Sequence, residues 1–243
     1  MPGINKNEHN MQTFRKHWWK FLGILLIIWV ILGGFLFEVP DLPVIRQSIR
    51  NIYFHVGMWF GMIFILFVGV VFSIRYLLTN DPEADMKAFA AVRTGLLFGA
   101  LGLITGMLWA KYTWGAFWVN DPKLNGAVVG MLTYLAYIVL RSSVEDQDKR
   151  ARLAAVYNVF AFVLFFVFIM ILPRTASASI HPGVDGNPAL ATGDLAPQMR
   201  IVFYPAMAGW CIMAWWLFTI LFRAEKLDAR INELKDNQHT EHG

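Results

Sequence analysis

The sequence predicts an all-α, polytopic membrane protein with six transmembrane helices and an external tryptophan-rich segment. Hydrophobic residues make up 57% of the 243-residue chain and charged residues 16%, a composition that excludes disorder and is typical of membrane proteins. Six apolar runs are each long enough, at roughly 17–25 residues, to cross a bilayer. Basic residues flank these runs unevenly, so we interpret the net charge of +4 as a topological signal and not as a sign of nucleic-acid binding.

The six predicted spans form a single membrane domain whose helices have recognisable start and stop signals. The first run is too long for a signal peptide and lacks a small-residue cleavage site, so we expect a retained helix. Asp81 and Pro82 are a cap and a first helical residue, so the third helix begins there. Residues 173–199 are rich in Gly, Pro, Ala and Ser and predict no long regular element. The expected spans are 18–37, 52–78, 82–109, 124–140, 153–172 and 200–222, between tails at 1–17 and 224–243.

Apolar residues beyond the sixth span share one helical face, which predicts that this helix continues for a few turns outside the membrane core. They are Leu227, Ile231 and Leu234.

The distribution of Lys and Arg predicts that both termini are cytoplasmic. Six spans put the termini on one side, and the segments on that side hold 15 of the 21 basic residues. Cytoplasmic segments carry the excess of Lys and Arg, so the opposite side is external. The basic residues on the external side are Arg46, Arg50, Lys111, Lys123, Arg174 and Arg200.

The stretch 111–125 is unusually aromatic for a polar connection. Trp114 and Trp118 are four residues apart, which would place them on one face of a helix. Pro122 disfavours a helical conformation at the preceding Asp121 and suits the first position of a new helix. We therefore expect a short interfacial helix, a break, and a new helix capped by Asp121. The alternative is a simple anchor, because Trp and Tyr gather at bilayer interfaces.

Two of the six His residues, His55 and His181, are on the predicted outer side. His55 lies near the start of the second span, and His181 lies in the connection before the sixth. An ionisable side chain at the edge of an apolar helix needs a partner and is often functional. The alternatives are a hydrogen bond to a neighbouring helix or a headgroup for His55, and an ordinary loop position for His181.

Haem is the cofactor that two imidazoles beside a Trp-rich surface favour, because neutral imidazole is an axial ligand of haem iron. The external basic residues that could neutralise the propionates are Arg50, Lys111, Lys123, Arg174 and Arg200. Zinc is less favoured, since two His alone leave its coordination incomplete. The single Cys211 excludes a thiolate cluster within the chain, and no Cys-x-x-Cys-His motif for covalent haem is present.

The sequence Trp114-Gly-Ala-Phe-Trp118-Val-Asn-Asp121-Pro-Lys123-Leu resembles the tryptophan-rich signature of proteins that handle haem in cytochrome c maturation. With the length, the six spans and two external His, the chain resembles the haem exporter protein C (CcmC) family, in a superfamily that includes CcmF and CcsA. The resemblance extends from about residue 18 to 222. Two departures are Asn120, where the motif usually has another Trp, and Lys123, where it often has Arg.

The resemblance implies a non-enzymatic protein of the bacterial inner membrane that binds haem b non-covalently. It implies that such a protein holds haem at the outer face and hands it to a periplasmic haem chaperone. The implied partners are ATP-binding cassette transporter subunits, a small single-span subunit and membrane lipid. It makes His55 and His181 axial-ligand candidates and Trp114, Trp118 and Asp121 haem-platform candidates, with Arg50 and Lys123 as basic residues near haem.

Three other functions remain open at this point. A synthetase-type relative would attach haem to apocytochromes, but such proteins are typically longer or richer in His. A membrane electron carrier of the b type usually holds haem permanently within a helical bundle, often with four His. A scaffold subunit without a cofactor would use its Trp residues only as anchors.

Overall fold

The computed structural model consists of helices, with no strand in the part of the chain that it describes. It describes residues 6–41, 44–175, 179–181 and 195–241, and for 6–14, 174 and 236–241 it describes the backbone alone. The longer elements are α1 (Lys6–Leu36), α2 (Ile52–Thr79), α3 (Pro82–Trp114), α4 (Pro122–Ser142), α5 (Gln147–Phe166) and α7 (Pro197–Glu241). The shorter ones are a 3-10 helix before α2 (Arg46–Asn51), a π-helical turn after α5 (Val167–Ile171) and α6 (Leu172–Thr175).

Six of these helical segments are long and apolar enough to cross a membrane, which confirms the predicted fold class. The helices extend beyond the apolar runs at several ends. α1 begins at Lys6 rather than at residue 18, and α3 continues past 109 to Trp114. Backbone hydrogen bonding does not stop where hydropathy falls, because charged residues are also good helix formers.

The sequence made two further predictions, one for the end of the last helix and one for the connection before it. The continuation of the last helix is confirmed, since α7 runs to Glu241. The irregular connection predicted for 173–199 lies mostly outside the described residues. Within the described part, Pro173 does not end the helix, because α6 continues to Thr175.

The centre of the bundle is α2, which packs against α3, α5 and α7, while α1 packs along α7. Met62, Ile65 and Leu66 of α2 are fully buried. α3 approaches them closely because it carries small residues at the interface: a Cβ on Gly95 would come within 2.5 Å of Leu66. Small residues allow close backbone contact between membrane helices, where dispersion and not the hydrophobic effect drives packing.

A proline inside α7 is matched by a hydrogen-bond donor from α1. Pro205 lacks an N–H, so the carbonyl of Ile201 has no intrahelical partner. The indole Nε1 of Trp29 donates to that carbonyl oxygen at 3.1 Å. Water is absent from the bilayer core, so a freed carbonyl there needs a partner from the protein. This bond also fixes the register of α1 against α7.

Ion pairs hold the helices together at the end of the bundle where α3 begins and α4 ends. Arg141 of α4 forms a two-pronged contact with Asp85 of α3, with N–O distances of 2.7 and 2.5 Å. Lys226 of α7 and Lys87 both donate to the carboxylate of Glu83. The opposite end, where α3 ends and α4 begins, holds the candidate site.

Candidate functional site

A cavity of about 240 Å³ lies between α2, α3, α4, the π-helical turn and the segment that carries His181. Most of its wall is apolar or aromatic. Both His55 and His181 line it, so the structure brings together two residues that are 126 positions apart in the sequence. The other polar or aromatic residues on its wall are Trp59, Phe60, Trp109, Trp114, Trp118 and Lys123.

His55 packs against α3, where a hydrogen bond holds its ring and a glycine leaves space for it. Its Nδ1 lies 2.9 Å from the carbonyl oxygen of Gly102. A carbonyl only accepts, so Nδ1 carries the proton and Nε2 is left as the basic nitrogen. A Cβ on Gly106 would lie 2.7 Å from Cε1 of the ring, so only glycine leaves room for this imidazole.

His181 lies in a short described segment, residues 179–181, against the start of α4. Its ring packs on Trp114 with centroids 5.1 Å apart. Its Nδ1 is 3.2 Å from Oδ1 of Asp121 and makes no hydrogen bond to a described residue. Burial lowers the pKa of His181 to about 4, although the Asp121 carboxylate acts in the opposite direction. The imidazole is therefore neutral at neutral pH, which is the form that coordinates a metal.

Asp121 is buried, with 1% of its surface exposed. As predicted, it caps α4: Oδ1 accepts the backbone N–H of Lys123 at 2.9 Å. Its Oδ2 accepts the Ser179 hydroxyl at 2.7 Å and the backbone N–H of Ile180 at 3.0 Å. Burial raises the pKa of Asp121, but these hydrogen bonds outweigh it, so the pKa lies below its ordinary value. Asp121 does not line the cavity but lies behind His181.

The predicted interfacial helix carrying Trp114 and Trp118 is wrong. Trp114 is the last residue of α3, and Gly115 ends that helix in the left-handed conformation with φ 81°. Residues 115–121 are not helical, so the two indoles are not stacked one turn apart. A glycine adopts positive φ without steric cost and commonly ends helices. Both Trp residues nevertheless line the cavity, one from a helix end and one from the following loop.

The two basic candidates are placed differently. Lys123 lines the cavity. Arg50 does not, because its guanidinium is turned towards the end of α1, where it donates to the carbonyl oxygens of Gly34 and Phe37 at 2.8 and 2.6 Å. Cations near a helix C-terminus satisfy its unpaired carbonyls, so Arg50 has a structural task at the connection between α1 and α2.

Three aromatic residues on the wall were missed by the sequence reasoning, namely Trp59, Phe60 and Trp109. Trp59 and Trp109 face His55 edge-on, with ring centroids 6.3 and 5.8 Å away. The signal for Trp59 was present, since it lies four residues after His55 on the same helix face. Trp109 is positioned by tertiary contact, through a 3.0 Å hydrogen bond from its indole to Ser48.

The donor set fits haem better than it fits a bare metal ion. Nδ1 of His55 lies at hydrogen-bonding distance from a protein oxygen, as in metal-binding imidazoles, which leaves its Nε2 available to a metal. Among the described residues, no three His, Cys, Asp or Glu come together to hold a metal ion. Two imidazoles suffice for a group that brings its own equatorial ligands, and aromatic walls suit a flat macrocycle.

Comparison with known proteins identifies one family over most of the chain. Residues 5–237 match the family described as Heme exporter protein C. Heme exporter protein C of Haemophilus influenzae is 26% identical over 223 residues, covering 85% of this chain and 82% of that protein. The protein of the same name from Bradyrhizobium diazoefficiens is 34% identical over 113 residues, covering 46% of this chain and 43% of that protein.

A second group of relatives matches over a shorter region. Cytochrome c biogenesis protein CcsA of Prochlorococcus marinus (strain NATL1A) is 30% identical over 94 residues, covering 39% of this chain and 30% of that protein. Because the family match covers nearly the whole chain and includes His55, His181 and the Trp-rich segment, the chain belongs to the Heme exporter protein C family of haem-handling membrane proteins in cytochrome c maturation.

Proposed function

We propose that this protein binds haem b non-covalently in the cavity, with His55 and His181 as the two axial ligands. One observation carries the proposal: two imidazoles from distant parts of the chain line one aromatic cavity. Nδ1 of His55 lies 2.9 Å from the carbonyl oxygen of Gly102, which leaves its Nε2 as the basic nitrogen, and Nδ1 of His181 lies 3.2 Å from a carboxylate oxygen of Asp121. Bound haem would supply the iron that both imidazoles coordinate.

The remaining wall residues have separate tasks in this proposal. Trp114 and Trp118 pack on the macrocycle and exclude water from it. Lys123 is the cation that we assign to a propionate, because it lines the cavity whereas Arg50 does not. Lys provides a point charge and not the two-pronged contact of Arg. We therefore expect a propionate contact that orients haem and still allows its release.

We propose that the cavity opens at the outer face of the bacterial inner membrane and that both termini are cytoplasmic. The uneven distribution of Lys and Arg supports this orientation. The cavity lies at the end of the bundle where α3 ends and α4 begins, away from the end that carries Arg141 and Lys226.

The protein then acts as a transfer component and not as an enzyme. It captures haem, holds it without forming a covalent bond, and releases it to a periplasmic haem chaperone. It works with ATP-binding cassette transporter subunits and a small single-span subunit. The lipid-facing surface of α1, where Leu25, Phe35 and Leu36 are exposed, is free for lipid or for that subunit.

The test of haem ligation is the visible spectrum of the full-length protein purified in detergent. We expect a low-spin bis-imidazole spectrum, and we expect His55→Ala and His181→Ala each to lower haem content or shift the bands. His17→Ala is the matched control, since His17 lies on α1 and does not line the cavity. If both site variants keep the amount and the spectrum of the wild-type protein, the axial assignment is wrong.

A synthetase-type function is the second candidate, and the match to proteins named CcsA favours keeping it. The two functions differ in where haem goes. A transfer protein passes intact haem to a soluble acceptor, whereas a synthetase-type protein yields haem bound covalently to a Cys-x-x-Cys-His peptide. Incubation of the loaded protein with each acceptor in turn, followed by denaturing chromatography, separates them. A b-type electron carrier would keep its haem in both incubations.

A further inference from the structure

The chain contains two Asp-Pro helix starts that are alike in sequence and different in surroundings. Asp81 precedes Pro82 at the start of α3, and Asp121 precedes Pro122 at the start of α4. Each carboxylate accepts the backbone N–H two residues later, at 3.0 Å for Asp81 and 2.9 Å for Asp121. Capping of the helix therefore requires no more of Asp121 than it requires of Asp81.

The surroundings of the two carboxylates separate their roles. The side chain of Asp81 is 32% exposed and lies 3.5 Å from the exposed Arg75. The side chain of Asp121 is 1% exposed, and its second oxygen accepts from Ser179 and from Ile180. Ser179 in turn accepts the backbone N–H of His181 at 3.2 Å. Every residue of the described segment 179–181 is thus tied, directly or through one hydroxyl, to a single carboxylate.

We infer that Asp121 is a positioning residue that anchors the segment 179–181 to the start of α4 and so holds the imidazole of His181 against the cavity. This inference deepens the proposed function and depends on it for the role of His181. It replaces the expected place of Asp121 in the haem platform, since Asp121 lies behind the imidazole. Oδ1 of Asp121 also lies 3.2 Å from Nδ1 of His181, which places the carboxylate beside the imidazole as in carboxylate–imidazole–metal arrangements.

The helix cap and the anchor together require both carboxylate oxygens of Asp121. Oδ1 serves the helix cap and Oδ2 serves the segment, and all three hydrogen-bonded groups are donors. A carboxamide has one acceptor oxygen and one donor nitrogen. Asp121→Asn therefore keeps either the cap or the anchor but not both. At Asp81, the same substitution keeps the bond that the side chain accepts from the backbone N–H of Glu83.

The first experiment needs no haem. Hydrogen–deuterium exchange of the full-length apoprotein in detergent reports the amide of Ile180, whose N–H is bound by Asp121. We expect Asp121→Asn and Ser179→Ala each to speed exchange of the peptide containing Ile180 by at least tenfold, with Asp81→Asn as the matched control at the wild-type rate. Ser179→Ala leaves the cap of α4 intact, so this variant still tests the anchor if Asp121→Asn folds poorly. Wild-type exchange in Ser179→Ala and in a folded Asp121→Asn overturns the anchor.

The second experiment measures haem affinity in the same variants. Loss of a residue that orients a metal-binding imidazole typically weakens affinity by about 10–100-fold, and we expect this for Asp121→Asn and less than twofold for Asp81→Asn. In a His181→Ala background, Asp121→Asn should add no further loss, because the residues act as a unit. A further loss in that background, or unchanged affinity in Asp121→Asn while His181→Ala binds weakly, overturns the positioning role. If Asp121→Asn exchanges fast while Asp121→Asn and His181→Ala both bind haem with wild-type affinity, the anchor is supported and ligation by His181 is refuted.

Discussion

Nδ1 of His55 lies 2.9 Å from the carbonyl oxygen of Gly102, which is one helix away on α3. The pairing extends over a full turn of both helices. Gly102 makes room for Trp59, whose indole would lie 3.0 Å from a Cβ there, and Gly106 makes room for His55. Two large residues spaced by four on α2 therefore meet two glycines spaced by four on α3. This match sets the depth of the imidazole in the cavity.

The first prediction concerns Gly106. In Gly106→Ala the new Cβ would lie 2.7 Å from the His55 ring, so the ring must move and its bond to Gly102 must lengthen. We expect haem content to fall at least threefold while the protein remains folded, because alanine favours the helix. Haem content per protein from absorbance is the measurement. Gly34→Ala is the control, since Gly34 lies outside the cavity wall; equal haem loss in both variants would contradict the prediction.

The second prediction concerns the Trp residues on the wall. Trp114→Ala and Trp118→Ala each remove aromatic area from the proposed haem surface, and we expect each to weaken haem binding by about 1–3 kcal/mol. Transfer of haem to a soluble acceptor should slow or lose amplitude at unchanged protein level. Trp18→Ala is the control, because Trp18 is exposed on α1 and far along the chain from the cavity. If haem binding and haem transfer are the same in all three variants, the Trp-rich segment is only an interfacial anchor.

The third prediction concerns the pairing of α1 with the proline of α7. Trp29→Phe removes the donor that satisfies the Ile201 carbonyl, and we expect a loss of about 1–2 kcal/mol of stability, measured by thermal unfolding in detergent. Pro205→Ala supplies a backbone N–H to the same carbonyl. In that background Trp29→Phe should cost clearly less, and an equal cost in both backgrounds would show that the indole stabilises the protein by packing alone.

The fourth prediction concerns the ion pair between α3 and α4. The side chains of Arg141 and Asp85 are 12% and 13% exposed, and the guanidinium also lies 4.5 Å from the Phe89 ring. Asp85→Asn leaves a buried cation without its partner, so we expect about 3–5 kcal/mol of destabilisation. Arg75→Ala is the control, because its pair with Asp81 is exposed and should contribute no more than about 1 kcal/mol. Comparable unfolding temperatures for the two variants would contradict the burial argument.

The fifth prediction concerns orientation in the membrane. A reporter fused at position 120, in the Trp-rich segment, should be active in the outer compartment. A reporter fused at position 144, between α4 and α5, should report the cytoplasm. The uneven distribution of Lys and Arg is the physical reason. A cytoplasmic signal at position 120 would overturn both the topology and the proposed outer haem site.

The helices could be predicted from the sequence because their causes are local. Apolar length sets the six spans, and Asp-Pro pairs at 81 and 121 set the starts of α3 and α4. The prediction of an interfacial helix was wrong because one residue, Gly115, allows two outcomes. Gly115 can take either sign of φ, and whether it continues a helix or ends one depends on what the following residues contact.

The sequence by itself determined six membrane-spanning helices, and it predicted that two imidazoles and a Trp-rich segment lie on the same side of them. Only the tertiary structure decided which residues share the cavity. It placed Lys123 on the wall and turned Arg50 towards α1. It also gave Asp121 and Asp81 different roles despite the same local motif. The physical reason is the sequence separation of the partners. A cap depends on a backbone N–H two residues away. The second oxygen of Asp121 binds partners 58 and 59 residues away, which only tertiary packing can bring within reach.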